Sequence, residues 1–257
     1  NLKNHLPLGV IIVIVILVQL LLSVTGTEYF LTQITMSAYY LLVVIGLCLL
    51  MGYAGQISLG HAGFFAIGGY CSAVLTTYNL IESADAPFVQ FLQRIGFLYQ
   101  RVDLYDNAIL SVSPWVAFIA AVIVALIVAF LIGFPVTRLK GHYLAMATLG
   151  FGIIIHAIVL GTKVLGESDG ITNVPPFPLL FGLEVNGRLP FRIQNYYIAW
   201  FIVVLAIGLS VNLINSRIGR ALRSIHGSEE AANALGVDTA RYKLLTFVLS
   251  AVLAAIG

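Results

Sequence analysis

The sequence predicts an all-α fold, a polytopic transmembrane helical bundle. Composition is the first reason: 60% of the 257 residues are hydrophobic and 9% charged, against about 25% charged in an average soluble domain. That leaves too few charges to cover a water-facing surface, whereas a bilayer lets apolar side chains face lipid. Mean hydropathy is correspondingly high, at +1.00. Finally, apolar stretches recur at about the 20 residues a helix needs to cross the hydrocarbon core.

Taken in order, those stretches are residues 8–24, 34–54, 57–78, 114–137, 143–162 and 196–214, and a seventh begins near Leu244. The first outruns the h-region of about 7–15 residues of a signal peptide and lacks a clear A-x-A cleavage site, so it counts as a span. The chain begins without Met and stops inside "LLTFVLSAVLAAIG". It is therefore expected to be part of a longer polypeptide, a single transmembrane domain over 1–257 that is incomplete at its C-terminus. Cys48 and Cys71 lie within apolar segments and are expected to be buried thiols rather than a disulfide or a metal site.

With the N-terminus inside, the inner connections carry Lys3, Arg138, Lys140, Arg217, Arg220, Arg223, Arg241 and Lys243, eight basic residues against five outside. The positive-inside rule favours that orientation. Two outer connections are long, 79–113 and 163–195, and both contain prolines and aromatics. In the first, "PFVQFLQRIGFLYQRV" has apolar residues near helical spacing. It reads either as a short helix at the membrane surface or as a simple cap over the spans.

"GYAGQISLGHAGFFAIGGY", residues 52–70, interrupts this pattern with glycines and polar groups. It contains neither G-x-G-x-x-G nor G-x-x-x-x-G-K-[ST], so it is no phosphate cradle. His61 has no neighbouring Cys, His, Asp or Glu in sequence to complete a metal site. A break between the second and third spans fits better, because non-helical backbone at membrane depth is tolerated when protein encloses it or when it lines a wet cavity. Ser58, Ala62 and Ala66 fall at i, i+4, i+8, a small-residue row that lets a helix approach closely. Gln56, Ser58 and His61 are the polar groups at the break and the candidates for a translocation path. A plain tight helix hairpin is the alternative.

The inner connection 215–243 holds a second motif. Ser228 is a good N-cap, Glu229 and Glu230 favour the positive end of a helix dipole, and Gly236 suits a left-handed C-terminal stop. These predict a helix over 229–235 with Ala231, Ala232 and Leu235 on one face. A helix this short is unstable alone, since even about 12–15 residues are marginal in water. Either the membrane domain or a partner must dock it.

"EAANALG", residues 230–236, matches the E-A-A-x-x-x-G loop by which permease subunits of bacterial ABC importers engage their ATPase. Together with "GYAGQISLGHAGFFAIGGY", "RLKGHYLAMATLGFG" and "ALGVDTARYKLLTFVLSAVLA" it makes the chain from about residue 38 onward resemble the branched-chain amino-acid permease family, in particular its M-type subunit. The resemblance implies one permease half in the bacterial inner membrane. It would pair with a homologous second permease, two cytoplasmic ATPases and an extracytoplasmic substrate-binding protein, among membrane lipids and without nucleic acid. It also implies no cofactor on this chain, with ATP used by the partner subunits. Glu229, Glu230, Ala231, Ala232 and Gly236 would form the coupling loop, and the cargo would be branched-chain or other apolar amino acids.

This sequence departs from the family's pattern in two places. Ile153 and His156 stand where the family commonly has Glu and Arg after "TLGFG", and "GESDGI" (166–171) replaces its outer G-G-P-x-G-I loop. His156 therefore joins the candidate path as an ionisable group inside a span, with a hydrogen-bonded structural imidazole as the alternative. Asp169 and Gly170 mark the altered outer loop. The departures leave urea, short amides or polar amino acids as alternative cargoes. Two other classes compete. An intramembrane hydrolase could pair Ser58 with His156, but "QISLG" is not G-x-S-x-G. An ATP-independent transporter has few carboxylates within the spans for an ion relay.

Overall fold

The computed structural model describes residues 2–81, 86–102, 108–137, 139, 141–179 and 182–257, with side chains described from Leu8 onward. Arg138, Lys140 and the side chain of Lys3, counted above as inner charges, lie outside the described residues. The chain runs through α1 (Leu2–Val24), α2 (Tyr29–Leu47), a π-helical turn (Cys48–Tyr53) and α3 (His61–Thr77). Next come a short α4 (Pro87–Arg94) and strands β1 (Leu98–Val102) and β2 (Ala108–Val112). Two long helices follow, α5 (Pro114–Val136) and α6 (His142–Gly161), then strands β3 (Phe177–Pro178) and β4 (Glu184–Val185). The chain ends with α7 (Arg192–Asn215), α8 (Arg217–Gly227), α9 (Glu229–Ala234) and α10 (Thr239–Ile256).

Five segments are long and apolar enough to cross a membrane: Tyr29–Tyr53, Pro114–Val136, His142–Gly161, Leu189–Asn215 and Thr239–Ile256. The other two expected spans are α1, of 23 residues, and α3. Leu8–Val24 is the apolar part of α1, and α3 has 17 residues, a rise of roughly 26 Å at 1.5 Å per residue. The third span does not begin at residue 57, because residues 55–60 stay outside any helix and α3 starts at His61. Ser58 is therefore not on the same helix as Ala62 and Ala66.

Small residues set how the bundle packs, and the main seam is not the one expected. Ala117, Ala121, Ala125, Ala129 and Gly133 recur every fourth residue of α5 and are all buried. Their row lets α3 and α10 lie close against α5. α10 in turn packs against α2, α3 and α5, touching α2 and α3 at glycines. A Cβ added at Gly46 would lie 2.7 Å from the Ser250 carbonyl oxygen, and one at Gly68 would lie 2.2 Å from that of Ala255. Phe64, Phe151, Phe247, Leu50, Ala129 and Ala251 fill the core where these helices meet. On the bundle's other flank α1 leans on α7, with the Tyr196 hydroxyl donating to the Val15 carbonyl (2.9 Å) and that of Tyr197 to Gln19 Oε1 (3.0 Å).

The two ends of the bundle differ. At one end the all-α expectation is supplemented by two antiparallel hairpins, β1–β2 and β3–β4. Beyond the hydrocarbon, strand edges can bond to water, so they are tolerated there. The helical reading of "PFVQFLQRIGFLYQRV" holds only as far as Arg94; Gly96 (φ +83°) then turns the chain into β1. Val89 packs on Leu98 and Leu110 in a small core of its own. Arg101 ties this layer down, donating to the carbonyls of Asn173 (3.1 Å) and Thr76 (3.3 Å). The opposite end carries the helix break, α8 and α9. Both thiols are free, but neither is buried as expected: Cys48 is exposed and Cys71 half-buried, because both sit on outward-turned helix faces.

Gly68→Leu should force α3 off α10 and cost about 1–3 kcal/mol or more, as overpacking does. A Cβ at Gly69 meets nothing within 4 Å, so Gly69→Leu should leave stability unchanged. Apparent melting temperatures of the two detergent-solubilised variants, followed by size exclusion, check the contrast.

Candidate coupling element and helix break

The break begins where α2 tightens into the π-helical turn Cys48–Tyr53. Gly55 then adopts φ +66°, open to glycine but strained for other residues. Its Cα hydrogens face His226 of α8; a Cβ there would lie 2.9 Å from His226 Nδ1. Two amides of the non-helical backbone find partners within the protein. The Gln56 amide N–H donates to the Leu50 carbonyl (3.1 Å) and that of Leu59 to Thr148 Oγ1 on α6 (3.0 Å). Thr148 and Gly60 pack so closely that a Cβ on Gly60 would lie 2.1 Å from the Thr148 carbonyl oxygen.

Of the path candidates, Gln56, Ser58 and His61 are all buried in the protein interior. Ser58 Oγ lies 2.9 Å from His61 Nδ1, and His61 Nε2 lies 2.8 Å from Ser250 Oγ on α10. Because the Ser250 hydroxyl donates to the Phe247 carbonyl (2.8 Å), it accepts from His61 Nε2–H. Nδ1 is then free to accept from Ser58. One tautomer completes the whole line, and the imidazole is sandwiched edge-on by Phe64 and Phe247. Gln56 differs: it is 2% exposed, yet both its amide nitrogen and its amide oxygen have no partner among the described residues. Leaving such an amide unpaired costs about 1–3 kcal/mol per group. It borders a cavity of about 170 Å³ shared with Gly141, His226, Glu229 and Lys243.

His156 is not brought to this line. It is exposed on the bundle surface, in an apolar groove of about 380 Å³ between α3 and α6 that Ala62, Ala66 and Gly152 also line. Ala62 and Ala66 thus border an open groove rather than a packed helix. Ser58 is engaged by His61, so the Ser58–His156 pairing considered for a hydrolase is not formed. Asp169 and Gly170 sit in a tight turn at the hairpin end, where both their amides donate to the Gly166 carbonyl (3.0 and 3.1 Å). A cavity of about 740 Å³ is also at that end, between Arg101, Arg188 and the Pro175–Pro176 strap.

At the opposite end α8 and α9 form a compact lever. α8 buries Gly219, Leu222 and Ile225 and exposes Arg217, Arg220 and Arg223. Arg223 also donates to the terminal α7 carbonyl of Ile214 (2.8 Å). α9 is capped at both ends as the sequence predicts. The Ala231 amide donates to Ser228 Oγ (3.2 Å), and the Gly236 and Val237 amides return to the carbonyls of Asn233 and Ala232 (2.9 and 3.0 Å). With Gly236 at φ +82° this is a Schellman stop.

The faces of α9 differ from the expected arrangement. Ala231, Ala232 and Leu235 do not share one: Ala232 is buried, Ala231 is exposed and Leu235 is 83% exposed. The inner face is made by Ala232 and Glu229, whose carboxylate meets Lys243 Nζ of α10 at 2.5 Å and accepts from Thr239 Oγ1 at 3.4 Å. Glu230, Ala231 and Gly236 lie on the exposed side with Leu235. Lys243, Ser250 and Thr148 were not singled out by sequence. They are separated from their partners by 14, 189 and 89 residues, so no local spacing reveals them.

Comparison with known proteins agrees with this architecture. Residues 29–257 match the family model described as the branched-chain amino acid transport system / permease component. The high-affinity branched-chain amino acid transport system permease protein LivM of Salmonella typhimurium is 31% identical over 240 residues, covering 86% of this chain and 49% of that protein. Its Escherichia coli counterpart is 30% identical over the same shares. LivH of Salmonella typhimurium, a permease protein of the same description, is 26% identical over 89% of this chain and 69% of its own. The chain thus spans about half the length of the LivM proteins it matches. No solved structure matches it. The helical bundle and a family match covering all but the first helix lead to one conclusion: the chain belongs to the branched-chain amino acid transport system permease family.

Proposed function

We propose that this chain forms one permease half of an ABC importer that carries branched-chain or other apolar amino acids into the cytoplasm. The half pairs with a homologous permease and is driven by ATP hydrolysis on two partner ATPases, with no ATPase site of its own. An extracytoplasmic binding protein delivers the cargo. The observation that carries this reading is α9. Six residues cannot hold a helix alone in water, yet this one is capped at both ends and seated on α10, presenting Glu230, Ala231 and Leu235 outward. The small side chain of Ala231 lets a partner's backbone approach closely, and Glu230 offers that partner a charge to pair with. Glu230, Ala231 and Gly236 are the docking face of α9, while Glu229 and Ala232 hold it to the membrane domain.

In this reading the α8–α9 end is cytoplasmic, as the arginines on α8 and the positive-inside rule favour. The amino-acid cargo follows from the relatives. Urea, short amides and polar amino acids are the alternatives that the His156 and "GESDGI" departures motivate.

Three outcomes follow. With Leu235→Cys in a background lacking Cys48 and Cys71, an impermeant maleimide should label intact cells poorly and permeabilised cells fully. Equal labelling of intact cells would reverse the orientation. Gly236→Val places a β-branched residue in the left-handed region at a cost of about 1–2 kcal/mol. A correctly inserted variant should therefore lose uptake roughly 5- to 30-fold, and uptake at the normal rate would remove the docking role. In proteoliposomes bearing the full importer, excess leucine, isoleucine or valine should compete with radiolabelled leucine, and urea or acetamide should not.

A further inference from the structure

We propose that Lys243 is the positioning residue that carries movement of α9 into the membrane domain, through α10 to the helix break. The inference deepens the proposed function and rests on it. Among the described residues Lys243 is the one lysine, arginine, aspartate or glutamate that is buried, at 7% exposure. An ammonium group out of water is tolerated when it is tightly paired. Here the pair is Glu229, the first residue of α9, at 2.5 Å. Separating α9 from α10 would strand this charge, so the two helices move as one body.

The same face of α10 then leads inward. Ser250 lies seven residues beyond Lys243, two helical turns and roughly 10 Å along the axis. Its hydroxyl holds His61 Nε2 (2.8 Å), the first residue of α3, and His61 Nδ1 holds Ser58 in the break (2.9 Å). The path from knob to break is therefore two polar links joined by one rigid helix. Glu229, Lys243 and Gln56 also line one cavity of about 170 Å³. The alternative contact, His226 against Gly55, is van der Waals packing that pushes but does not pull. Gln56, whose side-chain amide has no protein partner among the described residues, faces this cavity beside Glu229 and Lys243.

The test uses the assembled importer in proteoliposomes and reads substrate taken up per ATP hydrolysed. Lys243→Met should assemble and hydrolyse ATP but transport at least tenfold less per ATP, and Lys243→Arg should restore at least half of the ratio. His226→Ala should leave the ratio within twofold of the parent. If Lys243→Met does not assemble, Glu229→Gln replaces it, since it removes the charge yet keeps hydrogen-bonding capacity, and the same fall is expected. An unchanged ratio in either variant, a fall that arginine does not relieve, a His226→Ala effect as large as that of Lys243→Met, or failure of both variants to assemble would each overturn the proposal. If the parent importer shows no ATP-dependent uptake at all, the proposed function itself fails, which is a different result.

Discussion

Within lipid, a peptide group that leaves its helix needs another partner from the protein, because no water is there to supply one. Residues 55–60 test that constraint directly, since they stop forming a helix between two membrane segments. The fold answers by burying alternate residues of the segment, Gln56, Ser58 and Gly60, while Gly55, Ile57 and Leu59 stay exposed. Thr148 and the Leu50 carbonyl receive two of the freed amides, and glycines let the backbones come close. Gly60 against Thr148, Gly55 against His226 and Gly46 against Ser250 are all approaches that a Cβ would block. Within 52–70, Gly55, Gly60, Gly63 and Gly68 thus serve packing, whereas a Cβ at Gly52 or Gly69 would meet nothing within 4 Å.

α10 integrates the arrangement. It touches the helices on either side of the break, the alanine seam of α5 and the inner face of α9. Its buried polar groups fall in one row, with Lys243 toward α9 and Ser250 toward His61. Buried polar networks of this kind are stiff when every member is satisfied, and each group in the Ser58–His61–Ser250–Phe247 line has its partner. Gln56, unpaired a few residues away, is the exception.

The remainder of the surface is apolar where lipid or a second membrane subunit would cover it. Residues such as Leu131, Phe201 and Ile154 face outward along full-length helices, which would be an aggregation hazard in water and is unremarkable in a bilayer. The α3–α6 groove interrupts that belt with His156, the one imidazole on it. Burial by a neighbouring subunit or contact with solute would each give this ring the partner that it lacks within the described residues.

The sequence by itself determined the solvent of this protein, its approximate spans and the small capped helix. Apolar run length, charge placement and cap residues act over a few neighbours, so they are legible without a structure. It also placed a break after Ala54 from glycine and polar content, though it started the next span at residue 57 rather than at His61, and it read the family from four short motifs. What only the tertiary structure decided is which groups meet. The seam lies on α5 rather than at Ser58, Ala62 and Ala66, and Ser58 pairs with His61 rather than His156. Glu229 turns inward to Lys243 instead of outward with Glu230. Each depends on helix rotation and on contacts between residues distant in sequence. A bilayer rewards any apolar face equally, so the sequence pattern carries no signal for which face turns in.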